Sequence, residues 1–389
     1  MRKVSILTSV LTLTSSLFCQ GIIINHNHID YTKIPTEWIT KAKNDLRIGY
    51  GHTSHGSQLV TGMDALKAAN STFDYEKSYW ELYPGIFFND YWGNAGGADD
   101  LGHNGYLGWR DATIQMLNLP NNDRDVVMWS WCGGVSDNTV EGIDVYLNAM
   151  NELEASYPNV KFIYMTGHLD GSGAEGILHL RNQQIRDYCS SNNKILFDFA
   201  DIESYDPNAN LYYMPLYATD GCWYDSNGDG DPWEDENWAA NWVNNNPTSH
   251  YTQSSNVCEE CAHSEHLNCV QKGGAVWWLF ARLVGWDGSL TDISDSKETI
   301  EDFNLAQNYP NPFNPATVIS YQLPVPGIVQ IKIHDMLGRE ISTLVNEFQN
   351  AGFHHSTFSA LNNSLPSGVY YYTFTTSNYT VSKKMMYLK

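Results

Sequence analysis

The segment Asp45-Leu-Arg-Ile-Gly-Tyr-Gly-His-Thr-Ser-His-Gly-Ser-Gln58 predicts a strand that turns directly into a helix. The residues up to Gly51 form a short apolar stretch of the length that strands have. The small residues after it allow a tight turn, and Thr61–Ala69 continues with helical spacing. A strand that runs into a helix is the unit from which α/β folds are built.

The same alternation continues on the C-terminal side of this segment. Apolar runs of strand length stand at Leu46–Tyr50, Val126–Trp131, Lys161–Met165 and Ile195–Phe199. Helical spacing of apolar residues covers Thr139–Tyr157 and Leu178–Ser191, and a final apolar helix covers Gly274–Val284. This alternation predicts a parallel sheet with helices on both faces.

Polar and small residues directly follow three of the predicted strands. Ser54, Cys132-Gly-Gly134 and Gly167-His168 stand at these positions. Ligands bind at the carboxyl ends of the strands in such sheets. We therefore expect the three segments to line one crevice, with His168 either facing it or lying in the core.

The composition narrows the classes of partner. The chain has 389 residues, 44 Asp and Glu against 22 Lys and Arg, and a net charge of -22. The length predicts two or three domains, and the acidic balance argues against nucleic acids and anionic membrane surfaces as partners. The 13 Trp and 24 Tyr are typical of a large core or of a carbohydrate-binding cleft, where rings stack on sugars.

The N-terminus predicts export. Arg2 and Lys3 precede an apolar run from Val4 to Phe18 that is too short to span a bilayer, so residues 1–19 are expected to be a signal peptide. Cleavage after Cys19 fits this pattern; a lipoprotein would need a small residue where Phe18 stands. No later stretch reaches 18 apolar residues, so we expect no transmembrane helix.

The composition and the spacing of apolar residues change after residue 286. Residues 287–302 are polar and acidic and predict a linker between a domain at 20–286 and a second domain at 303–389. In the second domain, apolar residues alternate at period two in Thr317–Leu323, Val329–Ile333 and Val369–Thr375. Pro and Gly turns separate these runs, which predicts a small Ig-like β-sandwich.

This second domain resembles the C-terminal sorting domain of the type IX secretion system. The residues that carry the resemblance are Asn308-Tyr-Pro-Asn-Pro-Phe-Asn-Pro315, Asp335-Met-Leu-Gly-Arg-Glu340, Leu365-Pro-Ser-Gly-Val-Tyr-Tyr371 and Lys383-Lys-Met385. The resemblance implies the type IX secretion machinery as a partner. It also implies passage across an outer membrane, followed by release or attachment to the cell surface.

The strand-to-helix segment resembles the first block of the SGNH (GDSL-like) hydrolases, with Gly51-His-Thr-Ser54 in place of Gly-Asp-Ser. The resemblance implies a three-layer flavodoxin-like sandwich and makes Ser54 the nucleophile, with Ser57 as the second choice. A helix N-terminus beside the hydroxyl favours developing negative charge. The alternative is that Thr53 and Ser54 simply cap the helix.

The resemblance also implies a histidine base near the end of the first domain. The corresponding stretch is Glu259-Glu-Cys-Ala-His-Ser-Glu-His-Leu-Asn268. His263 is the favoured base, because Glu260 stands three residues before it and can orient the ring. His266 is the second candidate.

Backbone and amide donors are expected to bind the oxyanion. The resemblance implies the N–H of Ser54 and a glycine block, for which Leu101-Gly-His-Asn-Gly105 is the first candidate, with Asn104 and Gly105, and Gly96-Gly97 is the second. No asparagine follows Val126–Trp131, where the third block is expected. Backbone N–H groups at Gly133 are the substitute there.

Asp225-Ser-Asn-Gly-Asp-Gly-Asp-Pro-Trp-Glu-Asp-Glu236 fits a twelve-residue calcium loop. The expected ligands are Asp225, Asn227, Asp229, Asp231 and Glu236. No clear helix precedes the loop, so we do not expect a paired EF-hand. The predicted role of the calcium ion is structural, namely to hold the loop near the cleft.

Six cysteines remain after Cys19, and an even count in an exported protein favours disulfides. A bond from Cys222 to Cys258, Cys261 or Cys269 would join the calcium loop to the histidine segment. A rival interpretation makes the same region a zinc site, because it is dense in soft ligands. Its ligands would come from Cys258, Cys261, His263, His266 and Cys269.

The resemblance to the SGNH hydrolases implies a serine esterase. Together with the export signals and the aromatic content, it predicts a secreted enzyme that deacylates a polysaccharide or another acylated extracellular substrate. Ser54 would attack the ester, His263 would move the proton and Glu260 would orient the ring. The alternatives are a non-catalytic, calcium-stabilised glycan-binding protein and a zinc-dependent hydrolase.

Overall fold

The computed structural model describes residues 21–79, 81–90, 98, 100–233, 235–289, 303–308, 311–349, 352–360, 365–377 and 379–388. The predicted signal peptide, Gly96-Gly97 and most of the predicted linker lie outside these residues. The chain divides into two compact units, Met1–Leu290 and Thr291–Lys389. The division falls inside the segment that the sequence predicts to be a linker.

A seven-stranded sheet forms the centre of the N-terminal unit, and all its strand pairs are parallel. The strands are β1 (Ile23–Ile24), β2 (Ile48–Gly51), β3 (Lys77–Tyr79), β4 (Phe88–Asp90), β5 (Val126–Trp129), β6 (Lys161–Met165) and β7 (Ile195–Phe197). Their order is β1-β7-β6-β5-β2-β4-β3. The predicted α/β class with a parallel sheet is therefore confirmed.

Nine α-helices accompany this sheet in the described part of the N-terminal unit. They are α1 (Thr36–Asp45), α2 (Ser54–Ala69), α3 (Gly108–Leu117), α4 (Val140–Ser156), α5 (Ile177–Ser191), α6 (Phe199–Ile202), α7 (Trp238–Asn245), α8 (His250–Ser255) and α9 (His266–Leu283). A hairpin of two short strands, β8 (Trp223–Tyr224) and β9 (Glu236–Asn237), stands apart from the sheet. Within the described residues, none of the helices is both long and apolar enough to cross a membrane.

The connections reverse direction at the middle of the sheet. From β2 the chain passes through α2 toward β3 and β4, whereas from β5 it passes through α4 to β6 on the other side. Because such crossovers are right-handed, the two helices cover opposite faces. Helix α9 packs against α1, α2 and α8, and α4 packs against α3 and α5. The point of reversal, between β2 and β5, is where open α/β sheets form their ligand crevice.

Two glycines allow α2 and α9 to touch along their backbones. A Cβ added at Gly62 would lie 1.8 Å from the carbonyl oxygen of Cys269, and one at Gly273 would lie 2.3 Å from the carbonyl carbon of Gly62. A disulfide joins Cys261 to Cys269 and ties the segment before α9 to its first turns. The close crossing therefore fixes the histidine segment relative to the start of α2.

The C-terminal unit consists of two antiparallel sheets. Its strands are β10 (Asn304–Leu305), β11 (Ala316–Leu323), β12 (Gly327–His334), β13 (Glu340–Gln349), β14 (Gly352–Ser359), β15 (Gly368–Thr375) and β16 (Thr380–Tyr387). One sheet has the order β10-β11-β14 and the other β13-β12-β15-β16. Alternate side chains of both, such as Ile319 and Ile331, meet in one apolar core.

Candidate active site

The ends of β2 and β5 bring two loop segments side by side. Gly51 pairs with Trp129 in the sheet, and the N–H of Ser130 donates to the carbonyl of Gly51 at 3.1 Å. The first turn of α2 then lies against the end of β5, because Gly56 has no side chain. A Cβ there would lie 2.1 Å from the Oγ atom of Ser130. This close packing brings the residues at the start of α2 next to those that follow β5.

A thiol, an imidazole and a carboxylate form a continuous chain at this point. The Sγ atom of Cys132 lies 3.2 Å from Nδ1 of His55, and Nε2 of His55 lies 2.9 Å from Oδ2 of Asp220. His55 is buried, while Cys132 and Asp220 are half-buried. A nucleophile bonded to a base that is itself held by an acid is the geometry of a catalytic triad.

The surroundings of Cys132 favour the thiolate. The hydrogen bond from His55 lowers the pKa of the thiol to about 6, against the opposing effect of burial. The hydroxyl of Ser54, 3.3 Å from the sulfur, and the backbone N–H of His55 act in the same direction. Both belong to the first turn of α2, whose free N–H groups and dipole stabilise an anion.

The charge of His55 is the counterpart of this thiolate. Burial alone would lower the pKa of the ring, but the hydrogen bonds to Asp220 and Cys132 outweigh it and raise the pKa to about 9. Despite its own burial, Asp220 has a lowered pKa because it accepts the hydrogen bond from His55. Near neutral pH, the group is therefore a thiolate–imidazolium pair beside a carboxylate.

Asp220 reaches His55 from a loop that is held by the segment after β6. The N–H of Asp220 donates to the carbonyl of Leu169 at 3.1 Å, and Asp170 and Thr219 form an antiparallel bridge. On the other side, the Oγ atom of Ser264 donates to the carbonyl of Asp220 at 2.6 Å. The acid is thus fixed by backbone contacts with two segments that are distant in sequence.

Two further histidines cover the faces of His55. The ring of His168 stacks on it at a centroid distance of 3.6 Å and an angle of 6°, and the ring of His263 at 4.5 Å and 16°. His263 is exposed and has a φ of 60°, the left-handed region that a non-glycine residue rarely adopts. Strained backbone of this kind is concentrated at functional sites.

His55, Asp220 and His263 also place three ligand-type atoms within 4.8 Å of one another. However, both ring nitrogens of His55 already face hydrogen-bond partners, and the lone pairs of two stacked rings point within nearly parallel planes. Such lone pairs do not converge on one ion. The geometry favours proton transfer over metal coordination.

The structure places Ser54 in this site but changes its partner. Its Oγ atom faces the sulfur of Cys132, and within the described residues it makes no hydrogen bond to a histidine ring. Ser57 turns back to its own helix, where its Oγ atom donates to the carbonyl of Ser54 at 2.6 Å. The crevice expected to join the ends of three strands thus contains Ser54, Cys132 and His168.

The predicted base and acid are not brought together. His263 stacks on His55, but in the part of the chain that the structure describes its ring has no hydrogen bond to Glu260, which is exposed. His266 is exposed at the first residue of α9. The physical reason is that the segment turns sharply at His263 between its disulfide and α9. The carboxylate near the site comes instead from Asp220.

The predicted oxyanion donors are divided. Asn104 lies at the start of α4, where its side-chain oxygen accepts hydrogen bonds from Thr139, and Gly105 is exposed beside it. Gly133 directly follows Cys132 and has a φ of 81°. Within the described residues, the N–H groups of Gly133 and Gly134 have no hydrogen-bond acceptor. They belong to the two residues that follow Cys132 in the chain, which makes them candidate donors for an oxyanion formed there.

The predicted calcium loop is closed by the β8–β9 hairpin. The carboxylate of Asp225 accepts hydrogen bonds from the N–H groups of Gly228 and Gly230 at 2.6 and 2.8 Å. Asn227, Asp229 and Asp231 each accept from a backbone N–H two residues further on, and Glu236 accepts from Asn241. Glu234 lies outside the described residues. Among the carboxylates that are described, this loop gathers no three within 4.8 Å, so calcium binding stays a prediction.

The cysteines form one disulfide among the described residues, Cys261–Cys269, which confirms that disulfides are present. Cys132, Cys189, Cys222 and Cys258 are free thiols, so Cys222 does not form the bond to Cys258, Cys261 or Cys269 that was one of the open possibilities. Cys222 instead lies 3.6 Å from the Oγ atom of Ser264. The disulfide also removes Cys261 and Cys269 from the predicted set of zinc ligands.

Comparison with known families identifies the C-terminal unit. Residues 307–388 match the family model described as the secretion system C-terminal sorting domain. The predicted sorting domain is therefore confirmed, and it indicates export by the type IX secretion system to the cell surface or the extracellular space. The comparison with curated proteins gave no match.

Solved structures add little to this assignment. PorZ, a surface component of the type IX secretion system of Porphyromonas gingivalis, is similar at 18% identity over 25% of this chain and 13% of its own, with a TM-score of 0.17. An endo-β-1,4-mannanase from Thermotoga petrophila matches at 8% identity over 90% of this chain and 70% of its own, with a TM-score of 0.26. TM-scores this low carry no argument about fold or activity.

Proposed function

We propose that the protein is an exported acyl hydrolase in which Cys132 is the nucleophile, His55 the acid–base group and Asp220 the residue that orients and charges His55. The observation that carries the proposal is the chain of contacts from sulfur to imidazole to carboxylate, at 3.2 and 2.9 Å. The location at the reversal point of the sheet supports it. This proposal keeps the hydrolase class expected from the sequence and assigns the chemistry to different residues.

The first half-reaction forms an acyl-enzyme. The Cys132 thiolate attacks the carbonyl carbon, so that a C–S bond forms and an electron pair moves onto the oxygen. The N–H groups of Gly133 and Gly134 are the nearest candidates to stabilise that oxyanion. The imidazolium of His55 then gives its proton to the leaving oxygen or nitrogen as the bond to the carbonyl carbon breaks.

The second half-reaction releases the acid. A water molecule attacks the carbonyl carbon of the thioester, and neutral His55 takes a proton from it. The C–S bond breaks, the sulfur leaves as the thiolate, and the carboxylic acid departs. His55 is again an imidazolium, so the initial thiolate–imidazolium pair is restored.

Ser54 is a second candidate for the nucleophile, because its hydroxyl lies at the N-terminus of α2 as in the hydrolases that this segment resembles. Its hydrogen-bond partner is the sulfur of Cys132 at 3.3 Å and not a histidine nitrogen. A hydroxyl needs an adjacent base, whereas the Cys132 thiol is already activated. In the main proposal, Ser54 stabilises the thiolate.

We propose an acylated extracellular polysaccharide as the substrate class. Two exposed tyrosines stand on the segments next to the triad. Tyr217, 39% exposed, is three residues before Asp220, and Tyr106, 41% exposed, lies on the loop whose Gly102 packs against Gly134. Flat, exposed rings of this kind can stack on sugars. Export and the acidic net charge make a neutral glycan more compatible than a polyanionic one.

Active-site labelling separates these assignments. We would treat the full-length protein with iodoacetamide and, in parallel, with a fluorophosphonate, and locate the labelled peptide by mass spectrometry. The proposal expects fast alkylation of Cys132 that is lost in Cys132→Ala and kept in Ser54→Ala. Fluorophosphonate labelling of Ser54 in the wild type and in Cys132→Ala would support the serine esterase instead. A folded protein that binds glycan but reacts with neither reagent would support the non-catalytic alternative.

We also propose that calcium binds in the Asp225–Glu236 loop and has a structural role. The sequence pattern of oxygen ligands supports it, together with the hairpin that closes the loop. The loop lies beside the triad acid, since Pro232 approaches Gly171 in the ribbon that holds Asp220.

A further inference from the structure

We infer that His168 is a positioning residue that holds the imidazole of His55 in its catalytic plane and favours its charged form. The inference rests on the proposed thiol mechanism and adds a residue to it. Among the described residues His168 makes no hydrogen bond to the sulfur, and its action passes through the ring of His55.

The rings of His55 and His168 stack almost face to face. The two rings are 3.6 Å apart at their centroids and only 6° from parallel. A ring held flat on His55 prevents it from tilting out of the plane that contains both the sulfur of Cys132 and the carboxylate of Asp220. The two hydrogen bonds of His55 depend on that plane, because Nδ1 and Nε2 direct their bonds within it.

His168 is itself fixed from behind. Its Nδ1 atom donates to the carbonyl of Leu169 at 2.8 Å, which places the proton of the neutral ring on Nδ1. The N–H of Leu169 donates to Oε1 of Glu203, and the other oxygen of Glu203 binds Nζ of Lys272 at 2.6 Å. Glu203 and Lys272 are fully buried. The ring therefore rests on a rigid, charge-paired support.

The charge states of the two rings are complementary. Burial and then the positive charge of His55 lower the pKa of His168, so this ring is neutral where His55 is an imidazolium. The face of a neutral aromatic ring attracts a cation, whereas two charged rings would repel each other. Stacking thus stabilises the imidazolium, and with it the thiolate of Cys132.

His263, on the opposite face, is a weaker support. Its ring is further away, at 4.5 Å, and exposed. Its backbone is held in the left-handed region, but no hydrogen bond within the described residues fixes its ring. We therefore assign the positioning role to His168.

The test measures the pH dependence of alkylation at Cys132 in the full-length protein and in His168→Ala and His168→Phe. The other three free thiols among the described residues give little background, since burial raises the pKa of Cys189, Cys222 and Cys258. In His168→Ala, we expect the midpoint of thiolate formation to rise by up to about one pH unit, because the imidazolium of His55 loses the stacked ring that stabilises it. His168→Phe keeps the flat ring and should restore most of this shift. His334→Ala, on β12 of the C-terminal unit, is the matched control and should leave the midpoint unchanged.

The outcomes separate this inference from the proposed function. A wild-type midpoint near 6 that stays the same in His168→Ala would overturn the positioning role and leave the thiol mechanism standing. The positioning role would also be overturned if the midpoint in His168→Phe rose as far as in His168→Ala, since the flat face of the ring would then not be the cause. A wild-type midpoint near the ordinary value of about 8.5 would instead overturn the thiolate–imidazolium pair itself.

Discussion

Oδ2 of Asp220 lies 2.9 Å from Nε2 of His55, although the two residues are 165 positions apart in the sequence. The contact joins a loop held by the segment after β6 to the first turn of α2, on either side of the reversal point of the sheet. It decides the charge of His55, and the charge of His55 decides whether Cys132 is a thiolate. The function of the site thus depends on a carboxylate that does not touch the sulfur.

Asp220→Asn should weaken catalysis strongly while leaving the fold intact. An amide keeps the shape of the side chain but does not stabilise an imidazolium, and the corresponding change in a serine triad costs about 10⁴-fold. We expect kcat/KM on an acyl substrate to fall by at least about 10²-fold and the alkylation midpoint of Cys132 to rise. Asp137→Asn, an exposed aspartate paired with His103, is the control. Equal activities of the two variants would contradict the assigned role.

The pH profile should show a plateau with two limbs. The thiol of Cys132 has a lowered pKa of about 6, so the nucleophile becomes protonated and activity falls as the pH drops below that value. His55 has a raised pKa of about 9, so the proton needed by the leaving group is lost above that value. We expect kcat/KM for an uncharged ester to be highest between these limits. A profile that rises continuously to pH 10 would instead indicate an unpaired thiol.

Calcium removal should lower the thermal stability of the N-terminal unit. A ligand that binds the native state at 100 times its Kd adds about 2.7 kcal/mol, which corresponds to roughly 5–10 °C for a domain of this size. Calorimetry of the full-length protein with EDTA and with added calcium measures this shift. Asp225→Ala should abolish it, and Asp170→Ala, an exposed aspartate outside the loop, should not. A Tm that does not change with calcium would contradict the proposed structural calcium site.

The sequence predicts the parallel sheet because its strands are short apolar runs with clear ends. Lys161–Met165 is predicted at its observed limits, and Val126–Trp131 contains β5. Helical spacing of apolar residues begins only at Thr61, and the observed start of α2 at Ser54, with Thr53 as N-cap, corresponds to the alternative in which these two residues cap the helix. Its first turn is helical because Gly56 lets it pack against β5.

The sequence predicts only part of the candidate site. The expected crevice placed Ser54 and Cys132 together, since both follow strands at the same edge of the sheet. An even number of cysteines in an exported protein favours disulfides, and a free, reactive Cys132 does not follow from such a count. Asp220 carried no local signal, because its role comes from a loop that tertiary contacts bring to His55. A histidine immediately after Ser54 was the available clue to the base.

Glu203→Gln should destabilise the N-terminal unit by about 3–5 kcal/mol, because it leaves the charge of Lys272 without its partner. Both side chains are fully buried, and Lys272 also contacts Gln58 of α2, so the pair joins α9, α2 and the segment under His168. Urea unfolding of the full-length protein measures the loss. Asp45→Asn, which breaks the exposed pair of Lys41 and Asp45, should change the free energy of unfolding by less than about 1 kcal/mol.

Removing both charges, as in Glu203→Leu with Lys272→Met, should recover much of the lost stability, since the cost lies in the unpaired charge. If the double variant were less stable than Glu203→Gln, packing and hydrogen bonding around the pair would have to carry the energy, and the ion pair would not explain the rigidity of this support.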